Sequence, residues 1–210
     1  MADFKTHSIV GAGTGIVLSC LAVMGNFLTL SGSVLAVYLS LLASSLPDID
    51  SSTGSPRQFV LAALEILGPA LLIVSFANKL TLENLLLAGI AVFFVIRFPV
   101  RSMIDKLTKH RGIWHSIPMA AAGALVIYLA FFQSAFSSRV CFALIFLVCF
   151  LSHLILDEIC SLKYFGLSVK RSFGTAFKLT GTSRKQTVFI YTLIFILAGV
   201  CLFEHFSGGF

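Results

Sequence analysis

From Ile9 to Leu46 the chain runs without a single Asp, Glu, Lys, Arg or His. That is far more than one crossing helix uses, since roughly 20 apolar residues span a hydrocarbon core of about 30 Å. Gly25-Asn26 and Ser31-Gly32-Ser33 interrupt the run, and such residues mark turns. It therefore reads as a hairpin of two rather short helices, Ser8–Met24 and Ser33–Leu46. Further apolar segments follow at Phe59–Asn78, Leu82–Phe98, Ser116–Phe132, Arg139–Leu156 and Thr187–Phe203. The pattern predicts an all-α fold, a polytopic transmembrane helical bundle of about seven spans. Composition agrees, with 58% hydrophobic and 11% charged residues, against about 45–50% and 25% in soluble domains. A soluble globule has too little interior for that much apolar surface. Disorder and a disulfide scaffold are excluded by the same apolar content and by the sparse cysteines, which form no C-x-x-C pair.

The basic residues set the expected orientation. If the N-terminus and every second connection share one face, that face carries Lys5, Arg57, Arg97, Arg101, Lys106, Lys109, Arg111, Lys163, Lys170, Arg171, Lys178, Arg184 and Lys185. The opposite face holds only Lys79 and Arg139. Positive residues collect on the cytoplasmic side, so the N-terminus is expected there. The net charge of +6 is then a matter of topology; membrane lipid is the expected partner and nucleic acid is not. A cleaved leader is not expected, because Asp3 precedes the first apolar run and no clear small-x-small site follows Met24. The chain reads as one membrane domain, 1–210, containing a cytoplasmic basic loop or interfacial segment at 157–186.

Ionisable residues at a membrane edge are functional by default, because placing them there is costly. Here they cluster. His7 opens the first helix, Asp48 and Asp50 follow Pro47 at the end of the second, and His110 and His115 precede the fifth. His153 and Asp157 lie at the end of the sixth, four residues apart, and so project from one helical face. Counting crossings puts all seven on the expected cytoplasmic face, whereas His205 falls on the other. Imidazole with carboxylate suits Zn²⁺, Mn²⁺ or Fe²⁺ better than Mg²⁺ or Ca²⁺. Close carboxylates also repel unless a cation lies between them. The expected cofactor is a divalent transition metal, Zn or Mn, as one or two ions. Gly11-x-Gly13-x-Gly15 has no preceding strand and is no dinucleotide loop; Gly11 and Gly15 instead suit a close helix–helix contact.

Thr6-His7, LPDID at 46–50, HRGIWHS at 110–116 and SHLILDE at 152–158, in that order, resemble the YdjM-like family of bacterial inner-membrane metal-dependent hydrolases. The segment 168–183 is also similar to the region after the last motif in some members. The resemblance implies a multi-pass protein of the bacterial inner (cytoplasmic) membrane. It implies a metal site built from His7, Asp48, Asp50, His110, His115, His153 and Asp157, and hydrolase chemistry with an open substrate class. In such a mechanism His110 or Glu158 serves as general acid or base. Arg111, with Arg97 or Arg101, holds an anionic oxygen, which favours a phosphoester or lipid-linked substrate. The competing readings are a metal- or proton-coupled transporter using the same residues and a non-catalytic membrane protein with a structural metal site. Oligomeric state is not legible in the sequence.

Overall fold

The computed structural model describes residues 3–50, 54–107, 113–161, 178–181 and 183–207. Each expected apolar segment is helical. In order they are α1 (Phe4–Met24), α2 (Leu30–Ser45), a 3-10 turn at Pro47–Asp50, α3 (Ser55–Phe76), α4 (Leu82–Val95), a π turn at Ile96–Val100, α5 (Arg101–Leu107), α6 (Ile117–Ala130), α7 (Phe136–Ser161) and α8 (Arg184–Phe206). No strand occurs among the described residues, only an isolated bridge between Ser116 and Lys178. Five stretches are long and apolar enough to cross a membrane: α1, α3, Leu82–Ile104, α7 and α8. The expected seven is thus qualified, since α2 and α6 are apolar but have 16 and 14 residues. At 1.5 Å per residue these measure only about 24 and 21 Å.

Helices α1, α2, α3, α7 and α8 begin ahead of the hydropathy limits, whereas α6 is shorter than expected at both ends, because local chemistry sets the ends. Asp3 caps α1 by accepting from the Thr6 amide at 2.9 Å, so the helix starts four residues ahead of the expected Ser8. Thr29, Thr81, Ser116 and Ser183 cap α2, α4, α6 and α8 in the same way, each satisfying an orphan amide of the first turn. Helix α7 continues past Leu156 to Ser161, so the first residues of the expected 157–186 loop are helical. Pro99 lies in the π turn after α4, where proline removes a ladder donor and the helix adjusts.

The chain divides into two compact units, Met1–Asp48 with Gly112–Phe210, and Ile49–Arg111. In the second, α3 packs on α4. Gly68 faces Ile96 and Val92, Gly89 faces Ile73 and Pro69, and Arg97 pairs with Glu65 at 3.2 Å.

In the first unit α1 packs on α2 and α7, α2 on α7, and α6 on α7 and α8. The buried stripe of α1 is His7, Gly11, Gly15, Ser19 and Ala22, a spacing of about one turn per step. It meets Ser40 and Ser44 of α2 so closely that a Cβ at Gly11 would stand 2.1 Å from Ser44 Oγ, and one at Gly15 1.9 Å from Ser40 Oγ. The close contact expected of these two glycines is present. Helix α7 supplies Phe142, Ile145, Phe146, Cys149, Phe150, His153, Leu154 and Asp157 to the interior. At the other end of this unit, Arg139 grips Glu204 through two bonds of 2.6 and 2.5 Å. Its guanidinium also donates to the Tyr128 carbonyl and lies 4.0 Å over that ring.

Candidate metal centre

The small-residue stripe has a chemical consequence. His7 is its first member, one turn into α1, so the contact that draws α1 onto α2 also buries the imidazole, leaving it 1% exposed. Asp3 holds that first turn. The Thr6 hydroxyl and amide both bond its carboxylate, which lowers its pKa below the usual carboxylate value.

His153 and Asp157 reach the same place from the buried face of α7, 1% and 6% exposed. Asp48 arrives on the 3-10 turn that closes α2. His115 comes from the segment just before α6. There Ser116 donates to the Ile113 carbonyl at 2.6 Å, and the Ile117 amide donates to the Lys178 carbonyl at 3.1 Å. Ile113 forms a small core with Ala122 and Ile190, against which Trp114 packs.

The five side chains converge. His115 Nε2 lies 3.5 Å from Asp48 Oδ1 and 3.6 Å from Asp157 Oδ2. His153 Nε2 lies 3.8 Å from Asp48 Oδ1 and 3.6 Å from Asp157 Oδ2. These four atoms form a closed ring of alternating nitrogen and oxygen. His7 Nε2 stands 3.2 Å from the other Asp157 oxygen, Oδ1. The His7 and His153 rings stack with centroids 3.7 Å apart and planes at 17°, while His115 and His153 meet at 5.5 Å and 62°.

One bond decides what the cluster can do. His153 Nδ1 lies 2.6 Å from the Ser44 carbonyl oxygen. A carbonyl only accepts, so Nδ1 carries the proton and, in the neutral ring, Nε2 carries the lone pair. That lone pair is buried and has no hydrogen-bond partner among the described residues, an expensive state for a polar atom. It points among carboxylates that are 3.6 and 3.8 Å away, beyond hydrogen-bond reach. These four N···O separations of 3.5–3.8 Å, four of the six edges of a tetrahedron, are near the about 3.3–3.6 Å separating ligand atoms on a tetrahedral ion with bonds of about 2.0–2.2 Å. A histidine donating its second nitrogen to a backbone carbonyl is also how proteins orient a metal ligand. The donor set is therefore one that could hold a metal ion. His7, Asp48 and His153, and likewise His115, His153 and Asp157, are each close enough together to share an ion.

Of the residues expected from sequence, His7, Asp48, His115, His153 and Asp157 come together. Glu158 follows on α7, half-buried. His110 and Arg111 lie outside the described residues, as does the side chain of Asp50. Arg97 is engaged by Glu65. Sequence reading missed the Ser44 carbonyl, a backbone group with no residue-type signature. It also missed the Arg139–Glu204 pair, although both residues fall on the same face when crossings are counted.

No curated protein and no solved structure matches the chain. The apolar helices and the family match make it a multi-pass inner membrane protein. The model of the YdjM inner membrane protein family matches residues 1–205, nearly the whole length, and the chain belongs to that family.

Proposed function

We propose that this protein is a membrane-embedded, metal-dependent hydrolase whose His/Asp site lies at the cytoplasmic membrane edge, with the N-terminus on that side. The observation that carries the reading is the buried Nε2 of His153, without a hydrogen-bond partner among the described residues, fixed by the Ser44 carbonyl and aimed between two carboxylates. His115, His153, Asp48 and Asp157 would hold the metal, Zn²⁺ or Mn²⁺ by donor type. When bound, it supplies a Lewis acid that polarises the scissile group and acidifies water.

The chain's own groups supply the rest. Glu158, next to a ligand, or His110 moves the proton, and Arg111 binds an anionic oxygen of the substrate. A phosphoester suits that arginine, and a site at the bilayer edge suits a lipid or lipid-linked one. The cluster gathers at the ends of α1, α2 and α7 instead of midway along them, which favours an edge enzyme over a carrier, whose site belongs near the midplane.

The test is a panel of phosphoester and phospholipid substrates offered to purified protein supplied with Zn²⁺ or Mn²⁺. Turnover that disappears in His110→Ala and Asp157→Ala supports the reading. No turnover on any substrate, or turnover unchanged in both variants, overturns it.

A further inference from the structure

We infer that the cluster takes a single ion, bound by His115, His153, Asp48 and Asp157, with His7 outside the ligand set as the residue that positions Asp157. This rests on the metal reading above and sharpens it. Two imidazoles on one ion radiate from it, each with the metal in its own ring plane. With bonds of about 2.1 Å, their centroids then stand about 5 Å apart at tetrahedral angles and somewhat closer at octahedral ones. His115 and His153 meet that condition, at 5.5 Å with planes at 62°. His7 and His153 do not, because at 3.7 Å and 17° they lie face to face. An ion in the plane of His153 is then about a ring-stacking distance above the plane of His7.

The hydrogen bond agrees. Asp157 Oδ1 accepts from His7 Nε2 at 3.2 Å, so that nitrogen keeps its proton, and the ring's one lone pair is on Nδ1, buried without a partner among the described residues and directed away from that carboxylate. The bond leaves Oδ2 of the same carboxylate toward His115 and His153, as expected when a neighbouring donor orients a ligating carboxylate. The count of one follows from His153. Its only free lone pair is on Nε2, and both candidate triads include this residue. The two triads therefore cannot each hold an ion at the same time.

The experiment uses the full-length protein in detergent, loaded separately with Zn²⁺ and Co²⁺. X-ray absorption of the Zn²⁺ form should count two imidazoles per ion, and elemental analysis one ion per chain. His115→Ala and His153→Ala should lose the ion and the visible absorption of bound Co²⁺. His7→Gln, whose amide can still donate to Asp157, should keep both and bind about 10–100-fold more weakly, with His7→Ala weaker still. Three imidazoles per ion, two ions per chain, or His7→Gln losing the ion as fully as His153→Ala would overturn this inference and leave the metal reading standing. A wild-type protein that binds neither metal would overturn both. If the His7 variants do not fold, the wild-type absorption measurement decides.

Discussion

Replacing Gly11 by Ala places one methyl group where α1 and α2 touch, next to the carbonyl that orients His153. The new Cβ would stand 2.1 Å from Ser44 Oγ and 2.3 Å from Ser44 Cβ, against about 3.5–4.0 Å for contact without repulsion. A serine Cβ cannot swing away, so the helices must part by roughly 1 Å or more. Overpacking of this kind costs about 1–3 kcal/mol, while Gly to Ala within a helix returns about 0.5–1 kcal/mol. Gly13 provides the control, because a Cβ there meets nothing within 4 Å among the described residues and only the gain should register. Gly11→Ala should therefore fall below Gly13→Ala by about 1–3 kcal/mol, or roughly 2–12 °C in Tm for a chain of this size. Thermal unfolding in detergent measures it. Adding Ser44→Gly removes both clashing atoms and should recover most of the loss. Equal stability of Gly11→Ala and Gly13→Ala would refute the claim that this contact sets the helix spacing, and with it the account of how His7 and His153 are brought together.

Two further outcomes follow from the same packing. Removing either Arg139 or Glu204 alone strands a buried charge and should cost about 3–5 kcal/mol, whereas Arg139→Met with Glu204→Leu should cost less than either; additive losses in unfolding experiments would contradict this. Asp3→Ala should fray the first turn of α1, seen as faster amide exchange there. Because the Asp3 carboxyl pKa is lowered in the folded chain, its stabilisation is present at neutral pH and lost as pH falls through that lowered value; Asp3→Ala should lack this dependence.

Much of this was legible in the residues. Every apolar run became a helix, and crossing parity alone brought His7, Asp48, His115, His153 and Asp157 to one end. Hydropathy placed the end of α7 too early, at Leu156, because it scores Asp157 as polar without knowing that the carboxylate faces inward among imidazoles. It placed the start of α1 too late because a cap is a hydrogen bond, not a hydropathy value. The Arg139–Glu204 pair joins positions 65 apart, and no local pattern announces such a partner. The stacking of His7 on His153, which separates a positioning residue from a ligand, depends on ring orientation and leaves no trace in spacing.

The metal proposed for the buried His/Asp cluster is open to elemental analysis of the protein purified from cells grown with Zn²⁺ and Mn²⁺, beside His153→Ala prepared identically. About one divalent ion per wild-type chain and almost none in the variant is the expected result. A metal-free wild-type protein, or equal metal content in the two, would contradict it.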